Sequence, residues 1–488
     1  VEFLTMRLRL LSGAALAGTM ILAVTPASAK TLQEALAEAY EANPTLQAAR
    51  AQLRATDENV PIQRASALPN LSASAQHTEF IKQNSNSFIA PDRTFSAGLD
   101  LTVPIYSGGS VRNGIRAAET RVGAGRADLR GSESTIFNQV VAAYMDVIQN
   151  EAIVGLTSSN VEVLSVNLQA TSDRFEIGDL TRTDVAQSES RLALARGELR
   201  TAQANLLSAR ERYIQLVGSA PDALQPPPPL PGLPDDVDEA VSFALDHNPD
   251  LIATKERATA AGYDVRIAGA GRLPTVQVFS GGSYNNNLGT LGSLGSGFEA
   301  VQVTTAAQAG VRATIPIFQG GSVAARQRQA QAQEAVALEN IVVAERNTVA
   351  QVRSSYASWQ AANAIIASTQ SAVSAAELSL EGVRAENTVG NRTILEILNA
   401  QQELLRTQVD LVAARRNSYV AGFTLLAAMG RAEARDLGLE DDVQLYDPEA
   451  NYNRVRNIIW DWSRDPAPTT QSTRTVDIPA QDGEIHGP

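Results

Sequence analysis

Pro104-Ile105-Tyr106-Ser107-Gly108-Gly109-Ser110-Val111 is written a second time as Pro316-Ile317-Phe318-Gln319-Gly320-Gly321-Ser322-Val323, a shift of 212 residues. The register then holds: Tyr144 matches Tyr356, Gly178 matches Gly390 and Gly218 matches Gly430. Upstream, Asn43-Pro44 and Leu68-Pro69 recur as Asn248-Pro249 and Leu273-Pro274 at a shift of 205. A repeat this long means that most of the 488 residues are two copies of one unit. Between 274 and 316 the second copy carries seven extra residues, the mark of an exposed tip, since insertions collect in loops. Pro221 to Pro234, with four successive prolines from Pro226, reads as a stiff connector. The expected organisation is a first unit over 30–220, a linker over 221–235, a second unit over 236–431, and a C-terminal segment over 432–488. From about 465 that segment is rich in Pro, Thr, Asp and Gln without periodicity, the composition of a flexible tail.

Within each unit the period of the apolar residues changes twice. From Gly109 to Gly178 there is no proline, and a continuous helix of that length would run to roughly 100 Å. Val140, Val147, Val154, Val161, Leu168 and Phe175 fall at steps of seven along it, and Val352, Trp359, Ile366, Val373 and Leu380 repeat the stripe, with Asn387 as its polar end. Steps of seven are a helix–helix seam, and these residues are expected to pack rather than to bind a cofactor. Beyond Gly178 and Gly390 a polar turn leads into a second helix, so helical hairpins are expected at about 110–218 and 322–430. Before each long helix the period is two. Phe95, Ala97, Leu99, Leu101 and Val103 alternate with Ser96, Gly98, Asp100 and Thr102, and Ala307 to Ile315 alternate with Gln308, Gly310, Arg312 and Thr314. Preceded by Leu71–Ala75 and Val276–Val278, these make β-hairpins at about 69–106 and 274–318, the first with a polar loop at Gln83–Ser87, the second with a Gly/Asn-rich stretch at 281–297. Leu68-Pro69 and Leu273-Pro274 stop a helix before a strand, while Pro104 and Pro316 close a strand before the next helix.

Composition removes most chemistries. There is no cysteine, hence no disulfide, thiolate metal site or lipidated cysteine, and the three histidines, His77, His247 and His486, share no ligand spacing. No Walker motif, nucleophile elbow or cofactor motif is present, so no enzyme and no cofactor are expected. With 40 basic against 53 acidic side chains the net charge is −13, the wrong sign for nucleic acid. Arg7 and Arg9, an apolar stretch from Leu10 to Val24 and Ala27-Ser28-Ala29 read as a secretory signal over 1–29. After Lys30 no apolar run is long enough to span a bilayer as a helix, so any membrane crossing would be made by β-strands. Strands of about ten residues, apolar on one face and polar on the other, fit an outer-membrane barrel wall, with Asp100, Thr102, Arg312 and Thr314 on the lumen side. Two hairpins cannot close a barrel alone, so several chains would share one; three would supply twelve strands.

The doubled junctions and the two tip turns, Phe175 to Val185 and Asn387 to Ala400, resemble the TolC family of outer-membrane efflux and secretion channels over about residues 30–431. The resemblance implies a mostly helical fold with β-structure: a homotrimer with a twelve-stranded barrel in the outer membrane of a Gram-negative bacterium, a long α-helical barrel across the periplasm, and an equatorial segment after residue 431. It implies a passive exit duct of a tripartite efflux pump or type I secretion system, with a periplasmic adaptor and an inner-membrane pump of RND or ABC type as partners. It further implies that Asp184 and Arg392 pair at a constricted entrance, that Glu396 and Asn399 stand where an acidic double ring is common, and that Gly178, Leu180, Thr181, Gly390, Thr393 and Ile394 meet the adaptor. The competing reading is a periplasmic coiled-coil scaffold or adaptor that never enters the membrane, its hairpins forming soluble lobes.

Overall fold

The computed structural model describes residues 30–82, 90–292 and 300–485. The expected signal segment 1–29 and the loop Gln83–Ser87 lie outside the described residues, as does part of the stretch 281–297. The first copy runs α1 (Leu32–Ala42), α2 (Pro44–Asp57), α3 (Asn59–Ala65), β1 (Asn70–Glu79), β2 (Arg93–Ser107), α4 (Ser110–Glu176) and α5 (Arg182–Val217). The second runs α6 (Val237–His247), α7 (Pro249–Ala270), β3 (Thr275–Asn286), β4 (Val303–Thr314), α8 (Ser322–Thr388) and α9 (Ile394–Met429), and a short α10 (Ala450–Val455) follows.

The duplication holds to the residue. α4 and α8 each have 67 residues and α5 and α9 each have 36, with all four boundaries related by the shift of 212. The one broken element is local: α7 is continuous over 22 residues, whereas its counterpart is split into α2 and α3. Pro61 explains the split, because it has no N–H to donate back one turn and its ring crowds the carbonyl there.

The Asn-Pro repeats are helix connectors. The Asn43 side chain caps α2 by accepting from the Thr45 amide at 2.9 Å, while its Nδ2 donates to the Leu216 carbonyl at 2.8 Å. Asn248 caps α7 through the Leu251 amide at 3.1 Å and donates to the Ala428 carbonyl at 3.0 Å. Leu216 and Ala428 are again 212 apart, and their carbonyls belong to the last turns of α5 and α9, which have no intrahelical donor. The Gly-Gly pairs serve the strand-to-helix corner: Gly108, Gly109, Gly320 and Gly321 all have φ between 59° and 83°, the left-handed region that side chains disfavour.

The main core lies where α1, α4, α5 and α9 meet, around Tyr144, Tyr213, Phe137 and Leu206, and residues 432–446 cover it. A smaller copy joins α6, α8 and α9 around Val352, Tyr356 and Leu425. Tyr144 and Tyr356, the repeat-related tyrosines, both reach the connector: the Tyr144 hydroxyl donates to the Gln225 carbonyl at 2.6 Å and that of Tyr356 to the Asp235 carbonyl at 2.8 Å. Of the heptad stripe, Val140, Val147, Val154, Val352, Val373 and Leu380 are buried in helix seams, and Phe175 at the tip is exposed.

The two β-hairpins join into one antiparallel sheet in the order β1-β2-β3-β4. β1 and β4 each pair on one side only among the described residues. Pro104 does not end its strand: β2 continues to Ser107, and the ladder with β3 slips between Pro104 and Tyr106. A bulge is one of the few places where a sheet tolerates a residue without an N–H. Part of the Gly/Asn-rich stretch extends β3 to Asn286, and the chain turns after it through Leu288 and Gly289 at φ 52° and 70°.

The stretch expected to be a flexible tail has, among its described residues, no regular secondary structure and no buried residue, and it is held at a few points. Residues beyond Asp465 run back along α5, where the guanidinium of Arg210, buried to 7% exposure, donates to the Asp482 carbonyl at 2.9 Å and to Glu151 at 3.0 Å. Composition alone could not register this, because the anchor is a single arginine 272 residues away.

Candidate functional site

The ends of the helical hairpins carry one motif in two charge versions. At the first, Gly178 turns the chain at φ 82° and Thr181 caps α5. The Asp184 amide donates to the Thr181 hydroxyl oxygen at 3.3 Å, and the Asp184 carboxylate accepts from the Thr181 amide at 3.0 Å and hydroxyl at 2.7 Å. These bonds hold the Asp184 carboxyl below the usual range. At the second, Gly390 turns at φ 80°, and Thr393 and Glu396 make the same capping box on α9. The Glu396 carboxyl is lowered to about 2, first by the Thr393 amide and then by Arg392. Gly178 and Gly390 have open space around them, so only backbone conformation requires glycine there.

Arg392 sits where the first tip has Leu180. Its guanidinium donates to Glu386 at 2.6 Å and Glu396 at 2.7 Å. Asp184 and Arg392 are not joined within the chain; each is engaged inside its own turn. Asn387 donates to the Arg392 carbonyl at 2.7 Å, so the polar end of the stripe ties down the turn. Asn399 faces α5, where it accepts from Arg191 at 2.8 Å. That bond and the cluster of Leu164, Leu192, Ala195 and Leu398, with Ile394 against it, join the two tips. Sequence reasoning missed Arg191 and Glu386. Glu386 was findable, because the repeat aligns it with Arg174, which pairs with Asp179 at 2.6 Å. The long helix therefore contributes the cation at one tip and the anion at the other.

In the sheet, Asp100 opposes Ser72 and Gly281, Thr102 opposes Asn70 and Phe279, Arg312 opposes Gln277, and Thr314 opposes Thr275. Cross-strand partners share a face and so do alternate residues, so Asp100, Thr102, Arg312 and Thr314 all lie on one polar face. Phe279 is its aromatic exception, with the Arg312 guanidinium 4.9 Å from its ring centre and Gly310 opposite leaving room for the ring. The other face carries Leu71, Leu99, Val103, Val278 and Val311, with Phe95 and Tyr284 in edge-to-face contact at 6.4 Å.

No helix among the described residues is long and apolar enough to cross a membrane, and no group of side chains there could hold a metal ion. A two-faced open sheet mounted on helices of about 100 Å is the geometry of a wall and a shaft.

Comparison with known proteins agrees. The outer membrane efflux protein family matches residues 35–219 and 240–431. The outer membrane efflux protein BepC of Brucella suis is 35% identical over 449 residues, 92% of this chain and 94% of its own length. Outer membrane protein TolC of Escherichia coli is 27% identical over 417 residues, 84% of each chain. The outer membrane protein VceC of Vibrio cholerae superposes with a TM-score of 0.69 at 24% identity, covering 82% of this chain and 96% of its own. TolC-family channels are trimeric and work with adaptor and pump partners. The chain belongs to the TolC family of outer membrane efflux proteins, and it is an outer-membrane exit duct with its helical part in the periplasm.

Proposed function

We propose that three copies close one twelve-stranded barrel with Asp100, Thr102, Arg312 and Thr314 facing the lumen, and that the helix tips form an entrance opened by a periplasmic adaptor. The observation that carries this reading is the four-stranded sheet with both outer edges unpaired among the described residues. Hydrocarbon does not tolerate open edges, and neighbouring copies supply the missing partners. The pump behind the adaptor is of RND or ABC type, it supplies the energy, and the duct performs no reaction of its own.

At the entrance, Asp184 and Arg392 are proposed to latch across neighbouring subunits, since within one chain they are apart. Support comes from the guanidinium fork, which has five N–H groups and uses two of them on Glu386 and Glu396. Gly178, Leu180, Thr181, Gly390, Thr393 and Ile394 present the surface that the adaptor meets. Glu396 supplies a ring of three carboxylates, and Asn399, drawn to Arg191, adds no charge to it. In planar bilayers, Arg392→Ser and Asp184→Ala should each raise single-channel conductance, and no change in either would remove the latch. Glu396→Lys should move permeability from cations towards anions; an unchanged reversal potential would take Glu396 out of the path.

A further inference from the structure

After the second copy, the chain makes one excursion towards the sheet and back. Tyr446 starts it at the core, its amide donating to the Tyr40 hydroxyl at 2.9 Å. Glu449 then pairs with Arg126 at 2.8 Å, Tyr452 packs on Val60, Ala118 and Val122, and Arg64 donates to the Arg456 carbonyl at 2.8 Å and to Asn457 at 3.0 Å. α4 begins at Ser110 directly after the sheet. At about 1.5 Å per residue, Arg126 lies roughly 24 Å from that end, Val122 roughly 18 Å and Ala118 roughly 12 Å, so each contact is nearer the sheet than the last. Arg64 is in the last turn of α3, just before β1. The return is as clear. Arg454 pairs with Asp465 at 2.7 Å, closing the loop, after which Thr473 meets Gly218, the Gln481 amide meets Glu211 and Asp482 meets Arg210, successively closer to the helix tips.

The apex is Ile458-Ile459-Trp460-Asp461-Trp462, turned by a bond from the Ser463 amide to the Trp460 carbonyl at 3.0 Å. Ile459, Trp460 and Trp462 are 74%, 70% and 74% exposed, and the third tryptophan, Trp359, packs in a helical core. The same end of the sheet exposes Leu68, Ile105, Tyr106, Leu273, Ile317 and Phe318. Arg456 and Arg464 flank the apex.

We propose that residues 458–462 are a membrane-interface anchor, with both indoles seated among the headgroups and upper acyl chains of the periplasmic leaflet at the foot of the barrel. Indole is apolar in body with one N–H donor, and it settles where hydrocarbon meets headgroups. Flanking arginines lie where phosphates would receive them. The lipid is preferred to a protein occupant because the climbing contacts deliver the apex to the level where the apolar sheet face begins. The anchor rests on that face being the membrane wall.

The test uses the full chain carrying Trp359→Phe, reconstituted in phosphatidylcholine/phosphatidylglycerol vesicles with lipids brominated either near the headgroup or near the chain end. The remaining indole emission should fall at least about twofold more with bromine near the headgroup than near the chain end. Conductance in the same vesicles reports separately whether the barrel has inserted. Channels with unquenched indoles, including blue-shifted emission from burial against a neighbouring subunit, overturn the anchor alone. Unquenched indoles without channels overturn the wall reading and the anchor with it.

Discussion

Glu133 shows what one buried residue does to the whole duct. It lies on α4 beside Tyr40, Arg130, Glu433 and Tyr446, while Arg50 stacks between the Tyr40 and Tyr446 rings at 4.2 and 5.3 Å. Burial pushes its carboxyl up from 4.5 to about 7; Glu433 adds to the shift, and Arg50, the Ala434 amide and Arg130 oppose it. The folded state thus keeps a proton that the unfolded chain releases. The site's contribution to stability is complete below the unfolded value of 4.5 and is lost as pH rises through about 7, at a cost on the order of 3 kcal/mol. Glu133→Gln cannot ionise, so its unfolding free energy relative to the parent should be near zero at about pH 4 and favour the variant at about pH 8. Denaturant titrations at the two values check this, and a difference that does not change with pH would show that Glu133 is ionised when folded. At neutral pH the reverse sign holds at the tip: Glu396 keeps its cap, which weakens only as acid brings the pH down from 4.5 towards about 2.

At the scale of the element, the repeat made the helices and hairpins legible: glycine pairs, Leu-Pro stops and heptads pointed to boundaries that match across 212 residues. What stayed hidden was hydrogen bonding over long sequence separations. Asn43-Pro44 was readable as a repeated dipeptide, and its bond to Leu216 was not, because that contact spans 173 residues. Pro104 was misread for a related reason: a proline ends a regular ladder, and only the pairing with β3 shows the slip that accommodates it. At the tips, the sequence placed Asp184, Arg392 and Glu396 in the turns, but their intrachain partners depend on turn geometry that a motif does not specify. The dual role of the asparagine gives a measurable cost. Asn43→Ala removes a cap worth about 1 kcal/mol and leaves the buried end of α5 without a donor for another 1–2 kcal/mol or so. Asn43→Asp keeps the cap oxygen and turns a carboxylate towards the Leu216 carbonyl, so it should not rescue the loss. Thermal unfolding of the detergent-solubilised protein separates the cases; recovery in the aspartate variant would show that only the cap matters.

For the whole molecule, an incomplete sheet and a tethered tail set the limits of what one chain can do. Four strands leave an unfinished surface, which is why a barrel shared among several chains could be argued from strand count while the number three came with the family resemblance, whereas the tail's path depended on one buried arginine. Ending the chain at Asp465 removes the contacts of Arg210 with residues 482–484 and leaves it Glu151, a loss on the order of 1–3 kcal/mol. The truncated protein should fold and melt several degrees lower; an unchanged melting temperature would mean that the tail adds nothing to the folded state. The opposed tips have a consequence for assembly. Around a ring of three chains, the Arg174–Asp179 pair and the Glu386–Arg392 pair would follow one another, so a partner approaching end-on meets an ion pair whose direction reverses from each of six stations to the next. Backbone shape there repeats six times but the sense of the ion pair only three, and a sixfold collar would find half of its footholds reversed, a keyway that fixes which rotation fits.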